Sequence, residues 1–471
     1  MTPRYVSENL PVSRAAADAP DRVALIAGDR QWTYGELAPL IDARAVYLVA
    51  QRSEVDQPVG FVVRTDVSSV LWLLAAIEAG IAVVPVHPRL ADAERLRLRQ
   101  SWPQVRWIEA LPDSAPPVAG FRPLSALTAD APLAIVQSSG TTGAPKGVVL
   151  SRRAFIESAW ASACNLGWQE DDRWLVPMPL AHVGGLSVLT RCLLSRRTVV
   201  LLERFTPTGF LTEMARSRVT LVSVVPTMLA RIFAECPDAR PAPALRAALL
   251  GGDGASASLL EHAAALGWPV LTTYGLTESC SQVVTQDFGT RPDPVLGSGR
   301  PLSGVELRIS RGREIELRGP MLLSGYYPLA STDPPFSADG FFSTGDLGRL
   351  DESGNLHVFG RARDVIITGG ENVMPAEVEI VLARHAQIAD VAVLGKKDPE
   401  RGQILVAAIV PSDPAKMPAT AALAQWLEGR LASFKRPRRF YVVDKLPRTG
   451  SGKPDRRAIA ELVRLHGRLL P

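Results

Sequence analysis

The sequence predicts an α/β protein of two unequal parts. A large N-terminal domain of mixed, mostly parallel sheets with helices carries a small β-barrel-like section, and a small α+β C-terminal domain follows. Three observations predict this. The chain has 471 residues, more than one compact core accommodates. From Val59 to Thr273, short β-branched runs alternate with helical spacing of apolar residues, the pattern of a parallel sheet. From about Val295 the alternation gives way to short strands and turns, and the segment from about 365 mixes both patterns.

The elements follow in order. Residues 1 to about 30 read as irregular, with short strands at Val23–Ile26 and Gln31–Tyr34 around a Gly28-Asp29 turn. Tyr34–Val49 has helical spacing. Val59–Val63 is a strand, Val70–Ala79 a buried helix, Ile81–Val86 a strand and Leu90–Gln100 an exposed amphipathic helix. Glu78, Gly80 and Pro85 interrupt this apolar window, which favours a helix followed by a strand over a membrane span. After a Pro/Ala-rich stretch, roughly 111 to 132, helices are expected at Arg153–Leu166, Pro207–Arg216, Thr227–Ala234 and Ser256–Leu266. Strands are expected at Thr198–Leu202, Thr220–Val225, Leu245–Leu250 and Val270–Thr273. Val305–Ile309 and Glu314–Arg318 suggest a small barrel or antiparallel sheet. The last part has helices at Ala376–His385 and Ala421–Leu431 and strands at Val391–Leu394 and Ile404–Val410.

Composition excludes several classes. With 46% hydrophobic and 21% charged residues, the chain reads as an ordinary soluble globular protein. A net charge of +4 gives no argument for a nucleic-acid partner. Cys164, Cys192, Cys236 and Cys280 have no CxxC spacing and read as reduced thiols of a cytoplasmic protein, with no cysteine metal site. Arg4, Glu8 and Arg14 do not fit a signal peptide.

The stretch with the clearest chemistry is Ser138-Ser139-Gly140-Thr141-Thr142-Gly143-Ala144-Pro145-Lys146-Gly147. Apolar runs enter it at Leu133–Val136 and leave it at Val148–Leu150, so it reads as a loop held between strands. Glycines admit close backbone approach to a phosphate, and hydroxyls plus one ammonium add donors. A P-loop would need Gly before the lysine, Ser or Thr after it, and a helix. Here Pro145 precedes Lys146 and Gly147 follows, so that reading fails and a phosphate cradle of another type, or a plain surface turn, remains. Two further candidate sites fall at the carboxyl ends of expected strands, where parallel sheets bind ligands: Gly251-Gly252-Asp253-Gly254 and Tyr274-Gly275-Leu276-Thr277-Glu278.

In order along the chain stand the glycine-rich loop, Tyr274–Glu278, Thr344-Gly345-Asp346, Gly360-Arg361 with Asp364, and Gly450-Ser451-Gly452-Lys453. Together they resemble the acyl-adenylate-forming family, which holds acyl-CoA ligases, carrier-loading adenylation domains and luciferases. The resemblance covers nearly the whole chain. It implies ATP, Mg²⁺ and coenzyme A as the species bound, with a small carboxylic acid as the remaining substrate, and no integral membrane association. A homodimer is among the assemblies open to it.

The chemistry explains the residue types. A carboxylate is a poor acceptor for a thiol, and transfer to AMP makes its oxygen part of a leaving phosphate. Cations and N–H donors must hold the charge developing on the phosphates. By the resemblance, Ser138, Ser139, Gly140, Thr141, Thr142, Gly143 and Lys146 would cradle the β- and γ-phosphates. Glu278 would hold Mg²⁺ and Thr277 would contact the α-phosphate. Asp346 would accept the ribose hydroxyls with Arg361 in support, and Gly252, Asp253 and Tyr274 would border the adenine. Lys453 would be a mobile cation reaching the carboxylate and α-phosphate, where the plain reading is a solvated tail lysine. The family divides here into residues 1–361 and a mobile 362–471, with Arg363 at the hinge position, where Asp or Lys is usual. Gly369-Gly370 would line the thiol tunnel.

His182, in Pro179-Leu-Ala-His182-Val-Gly-Gly, would gate or orient the acid; a satisfied core histidine is the alternative. Cys280-Ser281-Gln282-Val283-Val284-Thr285 and Arg191, nine residues after His182, resemble the o-succinylbenzoate–CoA ligase branch. That acid has a second carboxylate, whose burial calls for a cation or several donors. His182, Arg191, Ser281 and Gly275 would then border the acid. Arg191 as a helix-surface arginine, another aryl or acyl acid, and loading of a carrier protein stay open.

Overall fold

The computed structural model describes residues 10–54, 56–115, 128–138, 146–252, 254–291, 293, 297–328, 336–448 and 454–470. The described residues form two large sheets, a small antiparallel sheet and a C-terminal sheet. The first large sheet has six parallel strands at its centre: Val270–Leu276, Ala247–Leu250, Leu221–Val224, Arg173–Val176, Thr198–Leu201 and Val23–Ala27. Antiparallel strands edge it, Arg30–Thr33 at one side and Ser281–Thr285 with Arg300–Pro301 at the other.

The second large sheet runs Gly325–Tyr327, Lys146–Ser151, Pro132–Ser138, Val83–Val86, Val59–Val62 and Arg106–Trp107. Pro132–Ser138 and Lys146–Ser151 are antiparallel, with Ser138 opposite Lys146. The two strands that flank the glycine-rich stretch thus pair with each other, as its apolar flanks predict.

The helix Val67–Ala79 packs in the core that both sheets share, and from Ser69 onward it is buried. Asp66 caps its start by accepting from the Ser69 N–H at 2.7 Å, and Gly80 ends it in the left-handed region. Apolar residues all round give it no single polar face, as expected of an enclosed helix. Among the described residues no helix is long and apolar enough to cross a membrane.

The small sheet, Glu306–Ile309, Glu314–Arg318, Phe342–Leu350 and Leu356–Arg361, is antiparallel throughout. The C-terminal part has its own core around the long hairpin Ile388–Asp398 and Gly402–Pro411, with helices Pro375–Leu382, Thr420–Leu427 and Arg456–His466.

Three differences from the sequence reading have physical causes. Val12–Asp18 is a helix where an irregular start is expected. It has seven residues and no side-chain cap. Its first N–H groups donate instead to the buried Glu78 carboxylate, at 2.5 Å from Val12 and 3.1 Å from Ser13. A partner 66 positions away leaves no local signal. Strand Arg173–Val176 and helix Val183–Ser195 fill a stretch that carries no expected element. The helix is buried almost all round, which erases the amphipathic period. Strand Val270–Leu276 runs three residues past its expected end, because Ser281–Thr285 pairs with the extension.

Candidate nucleotide- and acid-binding site

One segment joins the candidate residues. Strand Val270–Leu276 delivers Tyr274 and Gly275, and a single 3₁₀ turn, Thr277–Ser279, follows with Thr277 and Glu278. Ser279 is buried and pins this turn: its hydroxyl receives the Leu276 N–H at 3.0 Å and lies 2.8 Å from the Ser281 carbonyl. The chain then passes through two left-handed non-glycine residues, Cys280 at φ 52° and Ser281 at φ 90°. Such backbone persists where its surroundings over-determine it. Gly275 faces this turn, and a Cβ there would lie 2.0 Å from the Ser281 carbonyl oxygen. Only glycine fits that approach.

The Asp346 cluster lies on one side of the segment. Phe342–Leu350 and Leu356–Arg361 place Asp346 and Arg361 directly opposite each other in antiparallel register. The Asp346 carboxylate is buried, with Arg361 Nε 2.8 Å from one oxygen and the Tyr274 hydroxyl donating at 2.8 Å to the other. Arg361 also donates to the Thr344 carbonyl at 3.0 Å, and Thr344 Oγ1 accepts the Asp346 N–H at 3.0 Å. Burial and the Asp346 charge push the Tyr274 pKa well up, so its hydroxyl stays a donor.

On the other side are Lys146 and Glu278. The Lys146 ammonium sits 3.6 Å from the ring centroid of Tyr326. The Tyr326 hydroxyl donates to Glu278 Oε1 at 3.4 Å. Desolvation and the Glu278 charge raise the Tyr326 pKa. Gly325–Tyr327 pairs with Lys146–Ser151, putting Tyr326 opposite Val148. No local pattern marks Tyr326 in the sequence.

His182 precedes helix Val183–Ser195 and keeps part of its surface open to solvent. It pairs with half-buried His87, ring centroids 5.1 Å apart. Nδ1 of His87 accepts the Arg89 N–H at 3.1 Å. Desolvation, His182 and Arg89 lower the His87 pKa to about 4, and desolvation and Arg89 also lower that of His182. Both imidazoles are therefore neutral near pH 7, and the satisfied-core reading of His182 does not fit its exposure.

Arg191 is not on the surface of its helix: it is 1% exposed. Its guanidinium donates to Gln282 Oε1 and to Ser158 Oγ, both at 3.1 Å, and lies 5.7 Å from the Trp174 ring centroid. Ser158 in turn donates to the Cys280 carbonyl at 3.0 Å. Arg191 thus braces the back of the strained Cys280–Ser281 turn. Among the described residues no carboxylate pairs with it, its Nε has no hydrogen-bond partner, and desolvation lowers its pKa to about 10. Gln282 lies in the run that resembles the o-succinylbenzoate branch without being singled out there, and Ser158 carries no motif.

The remaining candidates stand as follows. Gly252, at φ 86°, follows strand Ala247–Leu250. Arg363 is exposed in the 3₁₀ turn Ala362–Asp364, directly after Arg361. Gly369 and Gly370 have φ of 60° and 84° at the turn between Ile366–Thr368 and Glu371–Val373. Ser139, Gly140, Thr141, Thr142, Gly143, Asp253 and Lys453 lie outside the described residues.

A parallel-sheet strand that runs out to Thr277 and Glu278, with a ribose-suited carboxylate on the small antiparallel sheet and a cation on the second large sheet, suits an enzyme that handles a nucleoside triphosphate. The chain belongs to the AMP-binding enzyme family: that family's model matches residues 12–327, and the model of its C-terminal domain matches residues 377–453. It is 35% identical to a 2-succinylbenzoate–CoA ligase of Bacillus pumilus, over 93% of this chain and 94% of that one. Its structure is similar to that of o-succinylbenzoate CoA synthetase from Bacillus subtilis in complex with the acyl-adenylate intermediate OSB-AMP. The TM-score is 0.83 and the identity 32%, over 97% of each chain. The same Bacillus subtilis protein in complex with ATP and magnesium ion gives a TM-score of 0.84 at 32% identity, over 95% of this chain and 98% of that one.

Proposed function

We propose that this chain is an ATP-dependent acid–CoA ligase acting on o-succinylbenzoate. It joins the succinyl carboxylate to AMP with release of pyrophosphate, then passes the acyl group to the thiol of coenzyme A. The observation that carries the choice of acid is Arg191, a buried cation with no carboxylate partner among the described residues, directly behind Ser281 and Gln282. Burying an uncompensated charge is costly, and a second substrate carboxylate compensates it. A fatty acid offers no such group. Gln282 and the Cys280–Ser281 turn relay the positive potential to the acid.

Asp346 and Arg361 orient the ribose, the carboxylate accepting its hydroxyls. Lys146 holds the β- and γ-phosphates together with the glycine-rich loop, and Thr277 contacts the α-phosphate. Glu278 suits Mg²⁺, an ion usually held by few carboxylates plus phosphate oxygens and water. Among the described residues no group of three or more His, Cys, Asp and Glu gathers to form a protein cage. When bound, the ion neutralises charge on the phosphate oxygens. Lys453 supplies the cation at the carboxylate and α-phosphate. Neutral His182 borders the acid and, lacking a charge, does not compete with the cations for its carboxylate.

The chain divides at 361/362, and residues 362–471 rotate about Arg363 between the half-reactions, bringing Gly369-Gly370 to the thiol path. The enzyme acts in the cytoplasm, as a monomer or homodimer. The test is pyrophosphate release with o-succinylbenzoate, benzoate, anthranilate and medium-chain fatty acids, with and without coenzyme A. Release confined to o-succinylbenzoate supports the reading. Equal release with benzoate removes the role of the second carboxylate, and release with no acid but a fatty acid overturns it.

A further inference from the structure

We propose that Tyr326 is a positioning residue that keeps the phosphate-binding cation Lys146 and the magnesium-binding carboxylate Glu278 from neutralising each other. This rests on the ATP and Mg²⁺ roles assigned above to that lysine and that glutamate.

The geometry supports it from two sides. The Lys146 ammonium lies 3.6 Å from the centroid of the Tyr326 ring, on its face. The hydroxyl at the ring's edge donates to Glu278 Oε1 at 3.4 Å. One side chain thus binds both groups in different ways, the cation through its π-face and the carboxylate through its O–H. The ring is fixed by pairing of its strand with the strand that Lys146 opens, Tyr326 opposite Val148 and Tyr327 opposite Gly147. Glu278 is fixed from the other direction, since its carbonyl accepts the Leu323 N–H at 2.8 Å. Both groups must stay available, the cation to phosphate and the carboxylate, through its second oxygen, to Mg²⁺. A direct Lys146–Glu278 ion pair would have to break before either could bind. A cation on a ring and a carboxylate on a neutral hydroxyl are held more weakly than such a pair, yet stay in place. Leucine or isoleucine here would fill the space without either function.

The test uses the full chain and ATP binding at equilibrium, by calorimetry, with EDTA and across a Mg²⁺ titration. Tyr326→Phe keeps the ring and removes the hydroxyl. It is expected to leave metal-free ATP affinity unchanged and to raise the Mg²⁺ midpoint about three- to tenfold, the factor of one ordinary hydrogen bond. Tyr326→Leu removes both contacts, and metal-free ATP affinity is expected to fall about two- to fivefold as Glu278 captures Lys146. Adding Glu278→Gln to Tyr326→Leu frees the lysine and is expected to restore metal-free affinity, a rescue that a purely structural role for the tyrosine does not give. A Phe variant with the wild-type Mg²⁺ midpoint, or no rescue in the double variant, overturns the proposal. Absence of Mg²⁺-dependent ATP binding in the unmodified chain counts instead against the nucleotide site itself.

Discussion

Replacing Arg191 by Met separates a substrate-reading arginine from a structural one, because the two roles predict opposite balances. Methionine is apolar and similar in reach. Burial lowers the Arg191 pKa from its ordinary value to about 10, so the charged form is disfavoured by about 3 kcal/mol in the protein. The substitution relieves that penalty. Against it stand the two hydrogen bonds at 3.1 Å to Gln282 and Ser158. Ser158 keeps its bond to the Cys280 carbonyl, and the Gln282 amide keeps its bond to Thr285 Oγ1 at 3.3 Å. The Gln282 oxygen is left without its donor, at about 1–3 kcal/mol. The terms oppose each other, so unfolding free energy is expected to stay unchanged or rise by up to about 2 kcal/mol. Apolar replacements of buried ions are often neutral or stabilising in this way. The acid, by contrast, loses its compensating cation. Because Gln282 and the turn stand between the two charges, the low end of the cost of truncating a buried charge pair applies, about 2 kcal/mol, so kcat/KM for o-succinylbenzoate should fall about thirtyfold while KM for ATP is unchanged. Chemical denaturation and steady-state pyrophosphate release measure the two. A variant destabilised by several kcal/mol whose folded fraction keeps its kcat/KM would refute the reasoning and make Arg191 a structural brace.

Three other outcomes follow from the same geometry. Gly275→Ala puts a Cβ 2.0 Å from the Ser281 carbonyl oxygen, so the backbone at Cys280–Ser281 must move; a loss of about 2 kcal/mol or more in unfolding free energy is expected, with weaker acid binding, and wild-type values in both would show that the turn yields freely. His87 is held neutral to about pH 4 by desolvation, His182 and Arg89, whereas the unfolded chain protonates near about 6.5. The unfolded state therefore binds more protons as pH falls through that window, and stability drops there. His87→Asn should flatten the fall in melting temperature between those pH values, and an unaltered slope would show that His87 does not carry it. Lys453→Ala should abolish pyrophosphate release from ATP and acid while sparing thioester formation from supplied acyl-adenylate; equal loss of both half-reactions would speak against the rotation of residues 362–471.

What could be read from the sequence depended on whether a residue's signal is local. The parallel sheet was legible because each short strand is followed by a helix of clear period, as at Pro207–Arg216, whose bounds match expectation. Asp346 and Arg361 were legible through their glycine-flanked motifs, and the register that sets them face to face adds only the geometry. Helix Val12–Asp18 was not, since its capping carboxylate is Glu78. Helix Val183–Ser195 was hidden by being apolar on nearly every side, and with it the burial of Arg191. Tyr326 was invisible because its role comes from strand pairing with Lys146–Ser151 across almost two hundred residues, and His87 because its partner His182 lies on another element.

The central claim is that this chain activates an aromatic dicarboxylic acid as its adenylate. It is tested most directly by incubating the protein with o-succinylbenzoate and Mg²⁺-ATP in the absence of coenzyme A, and analysing the products by mass spectrometry. The account predicts one equivalent of enzyme-bound acyl-adenylate with matching pyrophosphate, discharged to the acyl-CoA thioester when coenzyme A is added. Finding neither adenylate nor pyrophosphate with this acid, while a monocarboxylic acid yields both, would contradict it.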